Sequence, residues 1–419
     1  MSSTVLQGNL LSEKRYEKRK EQCARCGSCT VVCPVYTVTG RESLTARGKL
    51  HLLGTDLADI LSGNYQDLFS QCLLCGACEN VCPRHLPIRD CIVEARARFS
   101  LFYGQHGLQK SVVRMTLARP GLLEGLVKAG ISLKNLSILP EDSGLRLKLG
   151  LLENTRKADV SSPPADEQEA AAARENVTYF TGCLARFLQP SIARATLQLY
   201  RKTSGRRFDI PDAQACCGLA AWSSGKKEEA RALARKNIAA FQDTSGPIVT
   251  SCASCSSFLT FYPDLFENEP EWREKAALFS KRIREFASFF LEEKVDCQLG
   301  PAPSLRLYYH EPCHLRFAKE KRDAPRKLID QIGKIRRVDR EDKAGCCGQG
   351  GLFHVGYPEL SGKIFSRVYR LLLEVDAEIV VTTCSGCLMQ WQVGLAERKS
   401  DVPAVHLAVF LAGCLDIGA

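Results

Sequence analysis

The sequence predicts a multidomain α+β protein in which a small helical N-terminal module is followed by two pseudo-symmetric α/β units built on parallel sheets. Three observations carry this. The chain has 419 residues, more than one core accommodates at about 150 residues per domain. Its 21 cysteines are clustered, eight between Cys23 and Cys82 and ten in two copies of one later pattern. Each later copy is threaded on alternating strand and helix, which implies a parallel sheet.

Composition bounds the class. With 45% hydrophobic and 25% charged residues, the chain is globular rather than disordered. No apolar run reaches the roughly 18 residues needed to span a bilayer, and the start, MSSTVLQGNLLSEKRYEKRK, puts charge where a signal peptide would put an apolar core. The chain therefore reads as cytoplasmic. Its net charge of +10 suits acidic partners, peripheral attachment to the inner face of the cytoplasmic membrane, or neutralisation of anionic inorganic cofactors. Charges of both signs are interspersed rather than gathered in a basic arm, so no nucleic acid partner is expected. In reducing cytosol the thiols read as metal ligands rather than disulfides.

In the N-terminal module the motif CARCGSCTVVCP gives Cys23, Cys26, Cys29, Cys33 and Pro34, and CLLCGACENVCP repeats it as Cys72, Cys75, Cys78, Cys82 and Pro83. This is the bacterial ferredoxin run, in which three close thiolates bind one cluster and the fourth binds the other. Cys23, Cys26, Cys29 and Cys82 are therefore assigned to one 4Fe-4S cluster, and Cys72, Cys75, Cys78 and Cys33 to a second. Structural zinc would call for paired CxxC motifs, not two four-cysteine runs each ending in Pro. The 39 positions from Cys33 to Cys72 include LTARGKLHLLGTDLADIL, which predicts a helical ferredoxin module.

The second half repeats internally. One copy has Cys183, the pair Cys216-Cys217 before Gly218, and Cys252-Ala253-Ser254-Cys255; the other has Cys313, the pair Cys346-Cys347 before Gly348, and Cys384-Ser385-Gly386-Cys387. The single cysteine precedes the pair by 33 positions in both copies, and the pair precedes the last motif by 35 and 37. Strands are expected at 177–181, 208–210, 247–250, 305–309 and 378–382, and helices at 190–202 and 228–241. The cysteines then fall beyond the carboxyl ends of strands, where open sheets bind ligands, and the CxxC motifs open helices, whose N-terminal dipole favours thiolate. Vicinal cysteines in an extended strand would point to opposite faces, so each pair must converge on a cofactor, with glycine letting the backbone approach. A cubane takes one thiolate per iron, four in all. Five per copy leaves either an idle cysteine, an unusual cluster with bridging thiolates, or another metal.

These two copies resemble the cysteine-rich CCG domains of heterodisulfide reductase catalytic subunits. The whole arrangement, with RESLTARGKLHLL after the first run and YHEPCHL around Cys313, resembles the iron–sulfur subunit of glycolate oxidase and its lactate dehydrogenase relatives. The resemblance implies an electron-transfer subunit beside FAD-containing 2-hydroxy acid dehydrogenase subunits, with quinone as final acceptor. It also implies a non-cubane 4Fe-4S cluster on the five cysteines of one or both CCG domains, with zinc as the alternative at one. The rival function is a heterodisulfide reductase-like catalytic subunit that reduces a disulfide at a CCG cluster. Glycines 350 and 351 after the second pair, against Leu219 to Trp222 after the first, make the second site the expected open and reactive one.

The expected division is a helical ferredoxin domain at 1–105, a helical connector and linker at 106–175, and CCG domains at 176–300 and 301–419. No residue is assigned a catalytic role. No GxGxxG or GxxxxGK[ST] motif is present, and hydride oxidation of a hydroxy acid needs a two-electron acceptor such as flavin, so a partner must supply it. His310, His314 and His354 flank the second pattern, either as packed histidines or as a proton relay. The mixed charges of 13–22 read as a solvated helix face, and the leucine-rich helices bearing Arg114, Arg119, Lys128 and Lys134 as packing against a partner or the sheet domains. Cys91, Cys297 and Cys414 read as small apolar residues.

Overall fold

The computed structural model describes residues 22–53, 62–135, 176–204, 208–293, 304–318, 321–343 and 345–416. The segments at 13–21 and 158–175 and Cys297 lie outside the described residues. The chain divides into two compact units. The first comprises residues 1–114, 220–227 and 345–367, and the second residues 115–219, 228–344 and 368–419.

The first unit is helical. After each CxxC, a glycine in the left-handed region, Gly27 at φ 82° and Gly76 at φ 79°, begins a short helix, Ser28–Val31 and Ala77–Asn80. Pro34 then occupies the first turn of Pro34–Thr39, where its missing N–H costs nothing. Thr45 caps Ala46–Leu52 by accepting from Gly48 N at 3.1 Å, and Ser62 caps Gly63–Ser70 by accepting from Tyr65 N at 3.2 Å. An apolar cluster of Val35, Leu44, Leu73, Phe353, Tyr357 and Ile364 holds these turns together. An aromatic chain of Tyr65, Phe69, Phe99 and Tyr103 extends the packing.

The second unit contains two four-stranded, all-parallel sheets. Strands β1 (Val177–Tyr179), β2 (Phe208–Asp209), β3 (Ile248–Thr250) and β4 (Ile283–Glu285) lie in the order β2-β1-β3-β4. Strands β5 (Leu305–His310), β6 (Ile335–Arg337), β7 (Ile379–Thr382) and β8 (Ala404–His406) repeat it as β6-β5-β7-β8. Register is equivalent too: Tyr179 pairs with Val249 in one sheet and Tyr309 with Val381 in the other. β1 and β3 are buried throughout, as expected for sheets covered on both faces.

The two sheets share one core, in which Tyr200, Phe286 and Phe290 of the first copy pack with Leu328, Leu407 and Leu411 of the second. Helices pack reciprocally: Pro190–Ser204 contacts Leu407–Asp416, and Phe286–Glu292 contacts Ala324–Asp330. The same exchange occurs near the cysteines, where Ala253–Thr260 packs on Cys313–Arg316 and Ser385–Glu397 on Cys183–Phe187. The second unit is thus a pseudo-twofold pair. No helix among the described residues is long and apolar enough to cross a membrane.

Candidate metal centres

Two cavities in the first unit gather the eight N-terminal thiols. One, about 400 Å³ with its mouth, is lined by Cys23, Cys26, Cys29 and Cys82, with Cys78 also touching it. The other, about 480 Å³, is lined by Cys33, Cys72, Cys75 and Cys78. The backbone makes these loops identically: Arg25 at φ 53° and Leu74 at φ 54° both take the left-handed form inside their CxxC. Neither lining includes a carboxylate, and an all-thiolate donor set suits soft metals and iron–sulfur clusters.

The two surroundings differ. At the first cavity Cys26 is exposed, and a hydrogen bond with the Ser28 hydroxyl at 3.4 Å holds its thiol below the usual range. Arg47 there pairs with Glu42 and donates to Arg25 O at 3.1 Å. At the second cavity burial pushes the Cys33 thiol up and Cys78 well up, with Cys75 adding to the effect on Cys78. Lys49, 2% exposed, donates to Leu44 O and to Gln71 O at 3.3 Å. Burial pulls its ammonium below the usual lysine range, and Cys72 and Cys33 oppose that pull. Arg96, 6% exposed, donates to the carbonyls of Phe69, Ser70, Cys72 and Ser223 at 2.6 to 3.2 Å. Composition alone marks neither cation as buried.

The second vicinal pair, Cys346-Cys347, belongs to the first unit. Cys346, Cys33 and Cys75 pack against the same apolar cluster. Gly348 has φ 91°, and a Cβ on it would stand 2.7 Å from Ser361 O; its N–H donates to Cys346 Sγ at 3.4 Å and its carbonyl accepts from Ser361 Oγ at 2.9 Å. A Cβ on Gly350 would meet Leu73 Cδ2 at 2.5 Å. Glycine is therefore required where this loop lies on the Cys72-to-Cys75 turn. His354 meets Ser361 Oγ at 3.3 Å through Nδ1, a packing contact.

In the second unit the five thiols of the first copy converge. Cys183 Sγ lies 3.7 Å from Cys216 Sγ, well beyond a disulfide bond of about 2.05 Å. Hydrogen bonding with Cys216 pushes Cys183 and Cys217 well up, and Cys217 and Cys252 do the same to Cys255. Crowded buried thiols resist ionising together without a cation among them, which is the situation a metal cluster relieves. The pair is held by its carbonyls: Asn237 Nδ2 donates to Cys216 O at 3.0 Å and Tyr262 OH to Cys217 O at 2.8 Å. Gly182, at φ 74°, would bring a Cβ within 3.2 Å of Cys255 Sγ.

The second copy contributes Cys313, Cys384 and Cys387 to this unit. Cys252 and Cys384 each stand at the N-cap position of the helix that follows, and their sulfurs are 4.0 Å apart. Ser254 Oγ lies 3.1 Å from Cys384 Sγ and 2.9 Å from His314 Nδ1. His310 is buried edge-on against Trp391, and burial drives its imidazole down to about 3. Burial likewise drives His406 down to about 4; its Nδ1 accepts from Ala408 N at 3.2 Å. Glu311, two residues before Cys313, is buried among Arg316, Arg322 and Arg326 at 2.7 to 3.1 Å. Burial alone would raise its carboxyl, but Arg326 and Arg316 outweigh burial and hold it low.

Residues 177–260 and 307–392 match the cysteine-rich domain family, and residues 19–86 match the 4Fe-4S dicluster domain family. The fold and thiol sets define the class: an iron–sulfur protein with a helical two-cluster domain followed by paired cysteine-rich domains. The probable glycolate oxidase iron–sulfur subunit of Bacillus subtilis (strain 168) is 31% identical, over 96% of this chain and 96% of its own length. The chain belongs to the glycolate oxidase iron–sulfur subunit family. Lactate utilization protein A of Oceanobacillus iheyensis is 30% identical over 56% of this chain and 96% of its own length. The Bacillus subtilis protein of that name is 28% identical over 56% and 98%.

Proposed function

We propose that this chain is the electron-transfer subunit of a 2-hydroxy acid dehydrogenase complex, acting on glycolate or lactate through a partner subunit that carries FAD. Cys23, Cys26, Cys29 and Cys82 hold one 4Fe-4S cluster, and Cys72, Cys75, Cys78 and Cys33 the other. Cys183, Cys216, Cys217, Cys252 and Cys255 form the first CCG site; Cys313, Cys346, Cys347, Cys384 and Cys387 form the second, with zinc as the alternative metal at one of the two. The divisions at 1–105, 106–175, 176–300 and 301–419 follow these sites. Bound there, iron–sulfur clusters supply one-electron storage, with potentials set by their surroundings.

Contacts within each unit bring neighbouring thiol sets together. Cys33 and Cys75 share an apolar cluster with Cys346, and Cys384 meets Cys252 at 4.0 Å. Within the first unit the second ferredoxin cavity thus neighbours Cys346, and within the second unit the cysteines of the two copies meet. Removing a hydride from the hydroxy acid belongs to the flavin partner; a quinone at the membrane surface takes the electrons.

The observation that carries this reading is the sorting of the N-terminal thiols into two carboxylate-free cavities. Anaerobic purification of the chain with its copurifying subunits tests it by iron, zinc and flavin quantitation. The expected result is more iron than the roughly eight atoms of two cubanes, an FAD subunit, and dye reduction dependent on glycolate or lactate. Reduction of a thiol heterodisulfide by the isolated chain would instead favour the disulfide-reducing activity.

A further inference from the structure

The pseudo-twofold axis of the second unit relates the helix start after Cys252 to the helix start after Cys384, so departures from symmetry there are informative. Ser254 corresponds to Gly386, each being the third residue of its CxxC, and His314 corresponds to Leu184, each following the single cysteine of its copy. On one side Ser254 Oγ sits 3.1 Å from Cys384 Sγ and 2.9 Å from His314 Nδ1. On the other, Gly386 and Leu184 offer Cys252 no side-chain donor. At these two paired positions the polar side chains stand on one side only.

Proton accounting fixes the direction. With Cys384 as a metal-bound thiolate its sulfur can only accept, so a bond to it takes the one proton on Ser254 Oγ, and the serine oxygen would then accept from His314 Nδ1–H. A hydrogen bond to a coordinating sulfur withdraws charge and favours the more negative, reduced cluster.

We infer that Ser254, a residue of the first copy, is a positioning residue for the second copy's metal site, raising that site's reduction potential above that of the first. This rests on the reading that the second CCG site holds an iron–sulfur cluster. The two CCG sites are then unequal, with Ser254 and Gly386 as the source of the inequality.

The test is an EPR-monitored redox titration of the anaerobically purified full chain, with Cys384→Ser used to identify the second-site signal. In Ser254→Ala the ratio of reduced to oxidised second-site cluster at a fixed potential should fall about tenfold, the effect of one hydrogen bond, with the other signals unmoved. Ser254→Thr, which keeps the hydroxyl, should restore it. An unshifted midpoint in Ser254→Ala with full iron content, or an equal shift at both CCG sites, would overturn the inference alone. A chain whose second-site signal is missing, with zinc in its place, would overturn the underlying reading instead.

Discussion

The two cavities of the ferredoxin module come from near-identical motifs yet lie in opposite settings. The first is open: Cys26 faces solvent, as does Val31, 83% exposed, in the same cysteine run, and Arg47, one of three arginines lining the cavity, is ion-paired to Glu42. The second is lined by buried apolar side chains and has two buried cations beside it, Lys49 and Arg96, which donate to backbone carbonyls. Fixed positive charge at low dielectric acts far more strongly than the same charge in water. The motif therefore sets what is bound, and the surroundings set how it behaves.

The largest effect should come from exchanging the fourth ligands. Cys82→Ser should remove about four iron atoms and the first cluster's EPR signal, although residue 82 lies in the second run. Cys33→Ser should do the converse. Loss of the second signal in Cys82→Ser would break the comparison at its root. Next is Arg96→Leu, which strips charged hydrogen bonds from four carbonyls. A loss of about 3 kcal/mol or more in chemical denaturation is expected, against less than about 1 kcal/mol for Arg47→Ala, whose ion pair is partly exposed.

Lys49→Met should lower the midpoint of the second cluster only, reducing the reduced-to-oxidised ratio at a fixed potential by about tenfold, the effect of 1.4 kcal/mol. Equal shifts in both clusters would show that the cation does not distinguish them. The smallest effect is kinetic. In metal-stripped protein Cys26, whose thiol Ser28 holds low, should be alkylated at lower pH than Cys78, whose thiol burial holds high, because a depressed pKa leaves more thiolate at a given pH. Peptide mass spectrometry over pH 6 to 9 reads that order.

Much of this was legible in the sequence because cysteine spacing and internal repetition are local. The runs at Cys23 and Cys72, the copies starting at Cys183 and Cys313, and the strands entering them stand where the pattern puts them. Three strands were not legible. β4 (IRE), β6 (IRR) and β8 (AVH) are three residues each, too short to show a period, and two of them carry arginine. The buried cations were hidden for another reason: Lys49 in ARGKLHL and Arg96 in EARARF look like the polar faces of ordinary amphipathic helices. Ser254 was invisible as a partner of Cys384 because 130 positions separate them and only the pseudo-twofold packing brings them together.

The exchange of helices between the two sheets has a consequence for biosynthesis. The helix Leu407–Asp416 closes the core around Pro190–Ser204, so the first α/β copy emerges from the ribosome with that flank uncovered and remains so until residue 416 has been made. A truncation of the last helix would be felt more than 200 positions upstream, at Leu199 and Tyr200.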